Sequence, residues 1–383
     1  MATLIALPIT ETRPVPNTEI GPSSSLADLE DQLGRIPPTG EEAAARLKVE
    51  SFAASDLLTD LWGAILCGTL CRRATTEIVY GEPTDGSARF SNTLTGLVAA
   101  SLAASIRDKA GNTLDGAELR QNLMLRRDGL VSPDSDVAQT LVEFDPDFPI
   151  SPLFHLDNGA AAPGALRRRL FQSQVLRFRQ MLDLGALRRG GGAVGSGAAG
   201  DLGTFLSELH ENGLEHGSRD GRQTLVGTRF MRLRTHAAPD ATELAERCGP
   251  FRQLRRYVER TFGGDGPVTL VEAAISDFGR GIVDAYQASP AGLGPDVNRR
   301  DLLERLIYGR LTSKSSDPSA GLGIQYALDA ARRMNAFVSL RTAEFWMAVS
   351  FLPDRDDPRL VHLGDRPHPS VAGTHWQMFW PQP

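Results

Sequence analysis

The chain has 383 residues, of which 41% are apolar, so it has enough hydrophobic residues to bury the cores of two ordinary domains or of one large one. Its formal net charge is -6 at pH 7, which gives no general attraction for nucleic acid or for anionic membranes. This composition favours a soluble globular protein whose partner is not a nucleic acid.

Residues 1–30 are rich in Pro and Ser and lack the charged start and long apolar run of a secretory signal. They predict a disordered lead-in, and the cytoplasm is the expected location. The most apolar runs, residues 57–70 and 94–106, are shorter than the roughly 20 residues that span a bilayer. We therefore expect buried helices there and no contact with a membrane.

Residues 31–187 contain helical and strand-like patterns and predict a smaller mixed α/β domain of unassigned role. For example, the helical DLLTDLWGAILCGTLCRR is followed directly by the strand-like TTEIVYG. The segment 188–203 is rich in Gly and Ala, which predicts a linker, with a loop preceding a new helix as the alternative, and places the main domain boundary there. A second domain would then occupy residues 204–383.

A polar cluster follows the linker in LSELHENGLEHG, residues 206–217. Glu208, Asn212 and His216 recur at i, i+4 and i+8, so a helix would project all three from one side. Apolar residues such as Phe205 and Leu209 supply a separate packing surface. The pattern fits a helix that lines a polar site, and an ordinary surface helix is the alternative that this segment alone leaves open.

An apolar strand ends in a carboxylate in VTLVEAAISDFGRGI, residues 268–282. Asp277 is followed at once by Gly279 and Gly281, which would let a ligand approach the backbone. Such an arrangement suits the recognition of a flat heterocycle that carries an amino group. A structural turn fits this short pattern equally well.

A polar segment leads into a helix in LTSKSSDPSAGLGIQYALDAARRMNA, residues 311–336. Gly321 and Gly323 stand where the helix begins, and glycines there expose backbone N–H groups and the positive end of the helix dipole. The arrangement predicts a phosphate site, and a plain loop-to-helix junction is the alternative. The chain closes with the aromatic-rich strand AGTHWQMFWP, residues 372–381.

In this order, the four segments resemble the motifs of the ATPase superfamily shared by DNA gyrase, histidine kinases, heat-shock chaperones and mismatch-repair proteins (GHKL). ELHEN looks like the family's N box, SDFGRGI like its first glycine box, SAGLGI like its second, and GTHWQMFWP like its closing strand. The resemblance covers about residues 200–383 and implies a Bergerat-type α/β sandwich, with a mixed sheet, helices on one face and an ATP lid. Residues 238–266 depart from the smaller relatives and predict an inserted helical region.

The resemblance and the side-chain chemistry agree on a Mg²⁺-ATP site. Asn212 would offer its side-chain carbonyl to Mg²⁺, and Glu208, one helical turn earlier, would act as the general base on the attacking water. Lys314 could reach the γ-phosphate as a point charge. His216 could line the pocket, but local hydrogen bonding is the favoured role for it.

The remaining site residues would contact the base and the phosphates. Asp277 would accept a hydrogen bond from the adenine amino group, with Gly281 and Thr374 completing the base contacts, as the resemblance implies. The second glycine box would donate backbone N–H groups to the phosphates. The residues predicted to bind the nucleotide are Asn212, Asp277, Gly279, Gly281, Lys314, Gly321, Leu322, Gly323 and Thr374.

Three functions fit such a site. The first is slow ATP hydrolysis, or a nucleotide-switched contact with a protein partner or a second copy, through a mobile lid at about residues 283–320. The second is a protein serine kinase that resembles the anti-sigma-factor kinases of bacteria, because the N boxes of those kinases also have a Glu four residues before the Asn. The third is a regulatory or defence module that binds ATP without turnover.

Overall fold

The structure, a computed structural model, describes residues 18–20, 24–36, 44–49, 57–80, 93–115, 138–143, 196–216, 229–263, 266–289, 292, 297–309, 311, 322–353, 358–364 and 367–382. Within these ranges, the description does not include the side chains at residues 44, 59, 138–143, 196–198 and 214–216. The described residues form helices and two sheets, which confirms the expected α/β class.

The first sheet has five strands in the order β1-β2-β3-β4-β5. They are β1 (Thr18–Ile20), β2 (Ala44–Val49), β3 (Thr75–Tyr80), β4 (Ser105–Asp108) and β5 (Thr113–Leu114). Strands β1 to β4 run parallel, and β5 is antiparallel to β4, so this sheet is mixed. The strand-like TTEIVYG of the sequence is β3, as predicted.

Helices connect the parallel strands, because parallel neighbours need a crossover connection. They are α1 (Leu26–Arg35), α2 (Thr59–Arg73) and α3 (Leu94–Leu102). A capping box begins α1: Ser25 Oγ accepts a hydrogen bond from the backbone N–H of Asp28, whose carboxylate accepts one from the backbone N–H of Ser25. The two most apolar runs of the sequence form α2 and α3, and both helices are largely buried, as expected.

The second sheet has seven strands in the order β11-β10-β9-β12-β8-β7-β6. They are β6 (Ala138–Glu143), β7 (Arg229–Ala238), β8 (Val268–Asp277), β9 (Phe337–Ala343), β10 (Phe345–Ser350), β11 (Val361–His362) and β12 (Val371–Pro381). Each described pair of neighbours is antiparallel. The sequence predicted a mixed sheet in this half. The parallel pairs lie instead in the first sheet. In the second sheet, the consecutive strands β8 and β9 run in the same direction but do not pair, because β12 lies between them and is antiparallel to both.

Helices cover both faces of the second sheet, whereas the sequence predicted them on one face. The first face, called the α4 face, carries α4 (Ser196–His216), α7 (Ile282–Gln287), α8 (Arg299–Tyr308) and α9 (Gly323–Arg333). The opposite face, called the α2 face, carries α2, α5 (Ala241–Glu246) and α6 (Arg252–Thr261). It requires a cover because it presents aromatic side chains such as Phe230, Phe278 and Phe337. Helices α5 and α6 lie within residues 238–266, where the sequence predicted helices.

Helix α2 lies between the two sheets. It contacts β3 of the first sheet and β12 of the second, and each residue from 60 to 70 is buried. A helix that is apolar all round is typical of such a position. One hydrophobic core contains residues of α2 and of both sheets, so the N-terminal and C-terminal halves of the chain share a core.

Three predicted boundaries differ from the structure. Strand β1 and the start of α1 lie within the predicted lead-in at 1–30, where Ile20 and Leu29 enter the shared core. Strand β6 precedes the predicted boundary but pairs with β7 of the second sheet. Helix α4 begins inside the predicted linker at 188–203, because Ala199 and Leu202 pack into the core on the α4 face.

A buried charged cluster also joins α2 to the second sheet. Arg232 Nη1 donates a hydrogen bond to the Asp60 carboxylate, and Arg232 Nη2 donates one to Glu272 at 3.0 Å. Gln377 Nε2 donates to Glu272 at 2.8 Å, and His236 Nε2 lies 2.7 Å from the same carboxylate. Burial alone would raise the pKa of Glu272, but Arg232 and His236 hold that pKa well below its usual value. Both buried carboxylates of the cluster, Asp60 and Glu272, therefore have a cationic partner in Arg232.

We expect Asp60→Ala to lower the free energy of unfolding by about 3 kcal/mol, because it removes one carboxylate partner of the buried Arg232. Asp31→Ala is the matched control, since Asp31 pairs with Arg35 on the exposed surface of α1, and its loss should cost less than about 1 kcal/mol. Urea unfolding of both variants measures the difference. Equal losses would show that the buried pair contributes no more than a surface pair.

Candidate functional site

Helix α4 projects Glu208 and Asn212 from the same side, one turn apart. Elsewhere on its surface, Phe205, Leu206 and Leu209 pack into the core on the α4 face of the sheet. Both the polar and the apolar surfaces that the sequence predicted are therefore present. Because the apolar surface fixes the rotation of the helix, the direction of the two polar side chains is fixed as well.

The start of α9 lies directly against Glu208 and Asn212. A Cβ atom placed on Gly323 would lie 3.2 Å from Glu208 Oε2 and 3.3 Å from Asn212 Nδ2. These distances are shorter than ordinary van der Waals contacts, so glycine is what lets the helix start approach both side chains. The N-cap residue is Leu322, whose side chain cannot accept a hydrogen bond from the first backbone N–H groups of α9.

Asn212 Nδ2 is buried and has no hydrogen-bond partner among the described residues. Leaving a buried polar group unsatisfied costs about 1–3 kcal/mol. The amide therefore requires a partner from a bound ligand, a water molecule or a residue outside the described part of the chain.

Four buried polar side chains form a row across the second sheet. The strand register pairs Thr342 with Thr374, Thr374 with Asp277, and Asp277 with Arg229. Directly paired residues point to the same face of a sheet. This row lies on the α4 face, because Gly213 of α4 is close to both Asp277 and Arg229. A polar row on an otherwise apolar face marks a place where the sheet can recognise a polar ligand.

Within this row, Asp277 lies next to α4 and is almost fully enclosed. A Cβ atom placed on Gly213 would lie 3.8 Å from Asp277 Oδ2, and Asp277 Oδ1 accepts a hydrogen bond from the backbone N–H of Gly279 at 3.0 Å. Burial raises the pKa of Asp277 to about 7, and the Gly279 hydrogen bond and the charge of Arg229 offset only part of this effect. A buried carboxyl group that titrates near neutrality is typical of a functional site.

Two glycines shape the loops around Asp277. Gly281 and Gly373 have positive φ angles of 83° and 85°, which favour glycine. A Cβ atom on Gly281 would lie 2.8 Å from Thr342 Oγ1, and one on Gly373 would lie 1.9 Å from the backbone oxygen of Asp277. Neither position has room for a side chain. A direct contact of Gly281 with a base stays a prediction.

The predicted site residues within the described part of the chain fall into two groups. Glu208, Asn212, Leu322 and Gly323 lie where α4 meets the start of α9, and Asp277, Gly279, Gly281 and Thr374 lie where the end of β8 meets β12. Gly213 of α4 lies between them, next to Asn212 in the chain and next to Asp277 in space. Lys314 and Gly321 lie outside the described residues, as does the side chain of His216, so their roles stay predictions.

Arg229 and Thr342 belong to the polar row but were not found from the sequence. Thr342 had no clear signal, because the strand FVSLRTA contains three polar residues, Ser339, Arg341 and Thr342. Arg229 had none either, because the strand RFMRLRTHAA contains arginines at several positions. Only the register of β7 against β8 shows which arginine lies beside Asp277.

Comparison of the chain with models of known protein families and with curated proteins found no match. Within the described ranges, no group of three or more His, Cys, Asp or Glu side chains is arranged to hold a metal ion. None of the helices described here is both long and apolar enough to cross a membrane. The functional conclusion therefore depends on the geometry and chemistry of the site itself.

The raised pKa of Asp277 predicts a pH-dependent stability. The carboxyl group ionises near pH 3.8 in the unfolded chain but near pH 7 in the folded one, so the free energy of unfolding falls as pH rises between these values. Asn cannot ionise, so the stability of Asp277→Asn relative to the wild type should rise by about 2–3 kcal/mol between about pH 5 and about pH 8. Urea unfolding at both pH values measures this change. A difference between the two proteins that does not vary with pH would contradict it.

Proposed function

We propose that the chain is a Mg²⁺-dependent ATP-binding protein with a Bergerat-type fold like that of the GHKL superfamily, and that it hydrolyses ATP slowly. One observation carries this proposal: the start of α9 at Gly323 meets Glu208 and Asn212, while Gly213 of the same α4 lies against Asp277. The resemblance requires these distant segments to share one site. A chance similarity of short motifs would not bring these segments together, so their proximity supports the proposal.

The end of the site at β8 and β12 has the chemistry to bind adenine. A carboxylate accepts a hydrogen bond from an exocyclic amino group, and Asp277 is ionised above its pKa of about 7. The Thr342 hydroxyl donates to the backbone oxygen of Gly373 at 3.1 Å. The Thr374 hydroxyl, 3.5 Å from that of Thr342, is therefore the one that would bond the base, directly or through water. Ile275, two residues before Asp277 on the same face, is an apolar neighbour of these polar groups.

The end of the site at α9 has the chemistry to bind phosphates. The first backbone N–H groups of a helix point outward, and the helix dipole favours negative charge there. Gly323 keeps this helix start free of a side chain, so an anion can approach the backbone closely. Leu322 and Gly323 would therefore hold the phosphates, with Gly321 and Lys314 proposed from the sequence alone.

Asn212 fits the role of a magnesium residue. Its side-chain oxygen is the kind of ligand that Mg²⁺ takes in proteins, and its Nδ2, which lacks a partner among the described residues, would donate to a phosphate oxygen. The ion would otherwise be held by phosphate oxygens and water. When bound, Mg²⁺ would neutralise negative charge on the phosphates.

Glu208 fits the role of the general base. Its side chain is buried, and its Oε2 faces the start of α9, where the phosphates are proposed to lie. A carboxylate so placed can orient a water molecule and accept its proton as the water attacks. Asn212, one turn away on the same helix, would keep the phosphates aligned for this attack.

The predicted lid at 283–320 is anchored in part. Within it, α7 and α8 are joined to the sheet: Arg299 donates to Glu344 at 2.7 Å and to Asp284 at 2.6 Å. Gln325 Nε2 donates to the backbone oxygen of Tyr308 at 3.1 Å, which ties the end of α8 to α9. A nucleotide-switched contact with a protein partner is thus proposed only for residues 312–320, which lie outside the described ranges.

Glu208→Ala should retain ATP binding and lose phosphate release, because the substitution removes the general base and leaves the adenine-binding end of the site intact. Glu211→Ala, one turn from Glu208 on the same helix, is the matched control and should release phosphate at the wild-type rate. The assay incubates each protein with Mg²⁺ and γ-labelled ATP, with and without cell extract, and follows free phosphate and labelled protein separately.

Equal phosphate release by the wild type and Glu208→Ala would remove Glu208 as the base. Glu208-dependent label on a protein, in place of free phosphate, would identify a kinase. Binding of ATP without signal in either channel would identify a nucleotide-binding module without turnover.

A further inference from the structure

Helix α2 of the N-terminal half contacts the second sheet directly behind Asp277. A Cβ atom placed on Gly68 would lie 2.2 Å from Cε1 of the Phe278 ring, a distance at which one of the two must move. Phe278 immediately follows Asp277 and is fully buried on the α2 face. The absence of a side chain at Gly68 therefore decides where the Phe278 ring lies.

The next residue of α2 contacts the start of β12 in the same site. Thr69 Oγ1 accepts a hydrogen bond from the backbone N–H of Ala372 at 3.1 Å. Ala372 is followed by Gly373, whose Cα faces the backbone oxygen of Asp277, and by Thr374 of the polar row. Consecutive residues of α2 thus hold the segment that follows β8 and the start of β12, which meet at Asp277.

The alternation of side chains in a strand explains how a contact on one face reaches the other. At the end of β8, Asp277 points to the α4 face, and the next residue, Phe278, points to the α2 face. They share one peptide unit, which is planar and stiff. A displacement of the Phe278 ring is therefore transmitted to the backbone that carries the Asp277 carboxylate.

We infer that Gly68 and Thr69 are positioning residues for base recognition, so that α2 forms the rear support of the nucleotide site and the N-terminal half is a part of that site. This inference rests on the proposed function. It gives the N-terminal half a role that its own sequence patterns do not indicate. It also separates two sets of residues: α2 supports the base end, whereas α4 carries Glu208 and Asn212 at the phosphate end.

The first test is Gly68→Ala, measured by equilibrium binding of Mg²⁺-ATP to the full chain. We expect affinity to fall by about tenfold or more, because displacing a recognition group by a fraction of an ångström to an ångström carries a cost of this order. Gly200→Ala is the matched control: it is the same change within a helix, at a position where a Cβ meets nothing within 4 Å. That variant should bind ATP like the wild type.

A rescue experiment distinguishes positioning from general damage. Phe278→Val removes all three ring atoms, Cδ1, Cε1 and Cζ, that a Cβ at residue 68 would strike. The double variant Gly68→Ala with Phe278→Val should therefore bind ATP within about threefold of Phe278→Val alone. At the next position, Thr69→Ser keeps the acceptor and should retain affinity, whereas Thr69→Val keeps the shape, loses the acceptor and should weaken binding.

The kinetics of ATP hydrolysis distinguish a positioning role of Gly68 from a general effect on folding. Gly68→Ala should raise KM and leave kcat within about twofold, because the residues at the phosphate end lie on α4. If the wild type binds ATP, and Gly68→Ala and Thr69→Val bind it with the same affinity, the inference is overturned and the proposed function stands. Failure of the wild type to bind ATP would overturn the proposed function, and the inference with it.

Discussion

Helix α2 packs between two sheets, and its position determines how the remaining elements are arranged. A helix in this position must be apolar on every side, and residues 60 to 70 are all buried. Its one acidic residue, Asp60, is accommodated because Arg232 reaches it from β7. Close approach to the second sheet also requires a residue without a side chain, and Gly68 meets that need opposite Phe278. The same helix thus fixes how the two halves of the chain meet and where the loops at the end of β8 lie.

The candidate site forms on the opposite face from the same elements. Strand alternation places Asp277 on the α4 face and Phe278 on the α2 face, so one strand end serves both the site and its support. On the α4 face, the apolar surface of α4 sets its rotation, and Gly323 lets α9 begin against Glu208 and Asn212. The polar helix segment of the sequence therefore has a physical explanation: one side of α4 is enclosed by the start of another helix and by a buried carboxyl group.

Much of the candidate site could be predicted from the sequence, because its residues occur in short segments whose local structure can be inferred from neighbouring residues. A carboxylate at a strand end, glycines at a helix start and polar residues spaced by four are patterns that neighbouring residues determine. Thr342, Arg229 and the support from α2 could not be predicted, because they depend on strand register and on contacts between distant parts of the chain. The fold shows the same division. The helices α2 and α3 and the strand β3 were predicted correctly from local patterns. The pairing of β6 with β7 and the packing of helices on the α2 face were missed, because both depend on contacts between distant parts of the chain.

Titration of the wild-type chain with ATP and with GTP in the presence of Mg²⁺ shows whether this site recognises adenine through Asp277. The titration is best done near pH 8, above the Asp277 pKa of about 7, where the carboxylate is ionised. Guanine has a carbonyl oxygen where adenine has its amino group, so a carboxylate there would repel it. If Asp277 accepts a hydrogen bond from the adenine amino group, ATP should bind at least about tenfold more tightly than GTP. Failure to bind ATP, or equal binding of the two nucleotides, would contradict it.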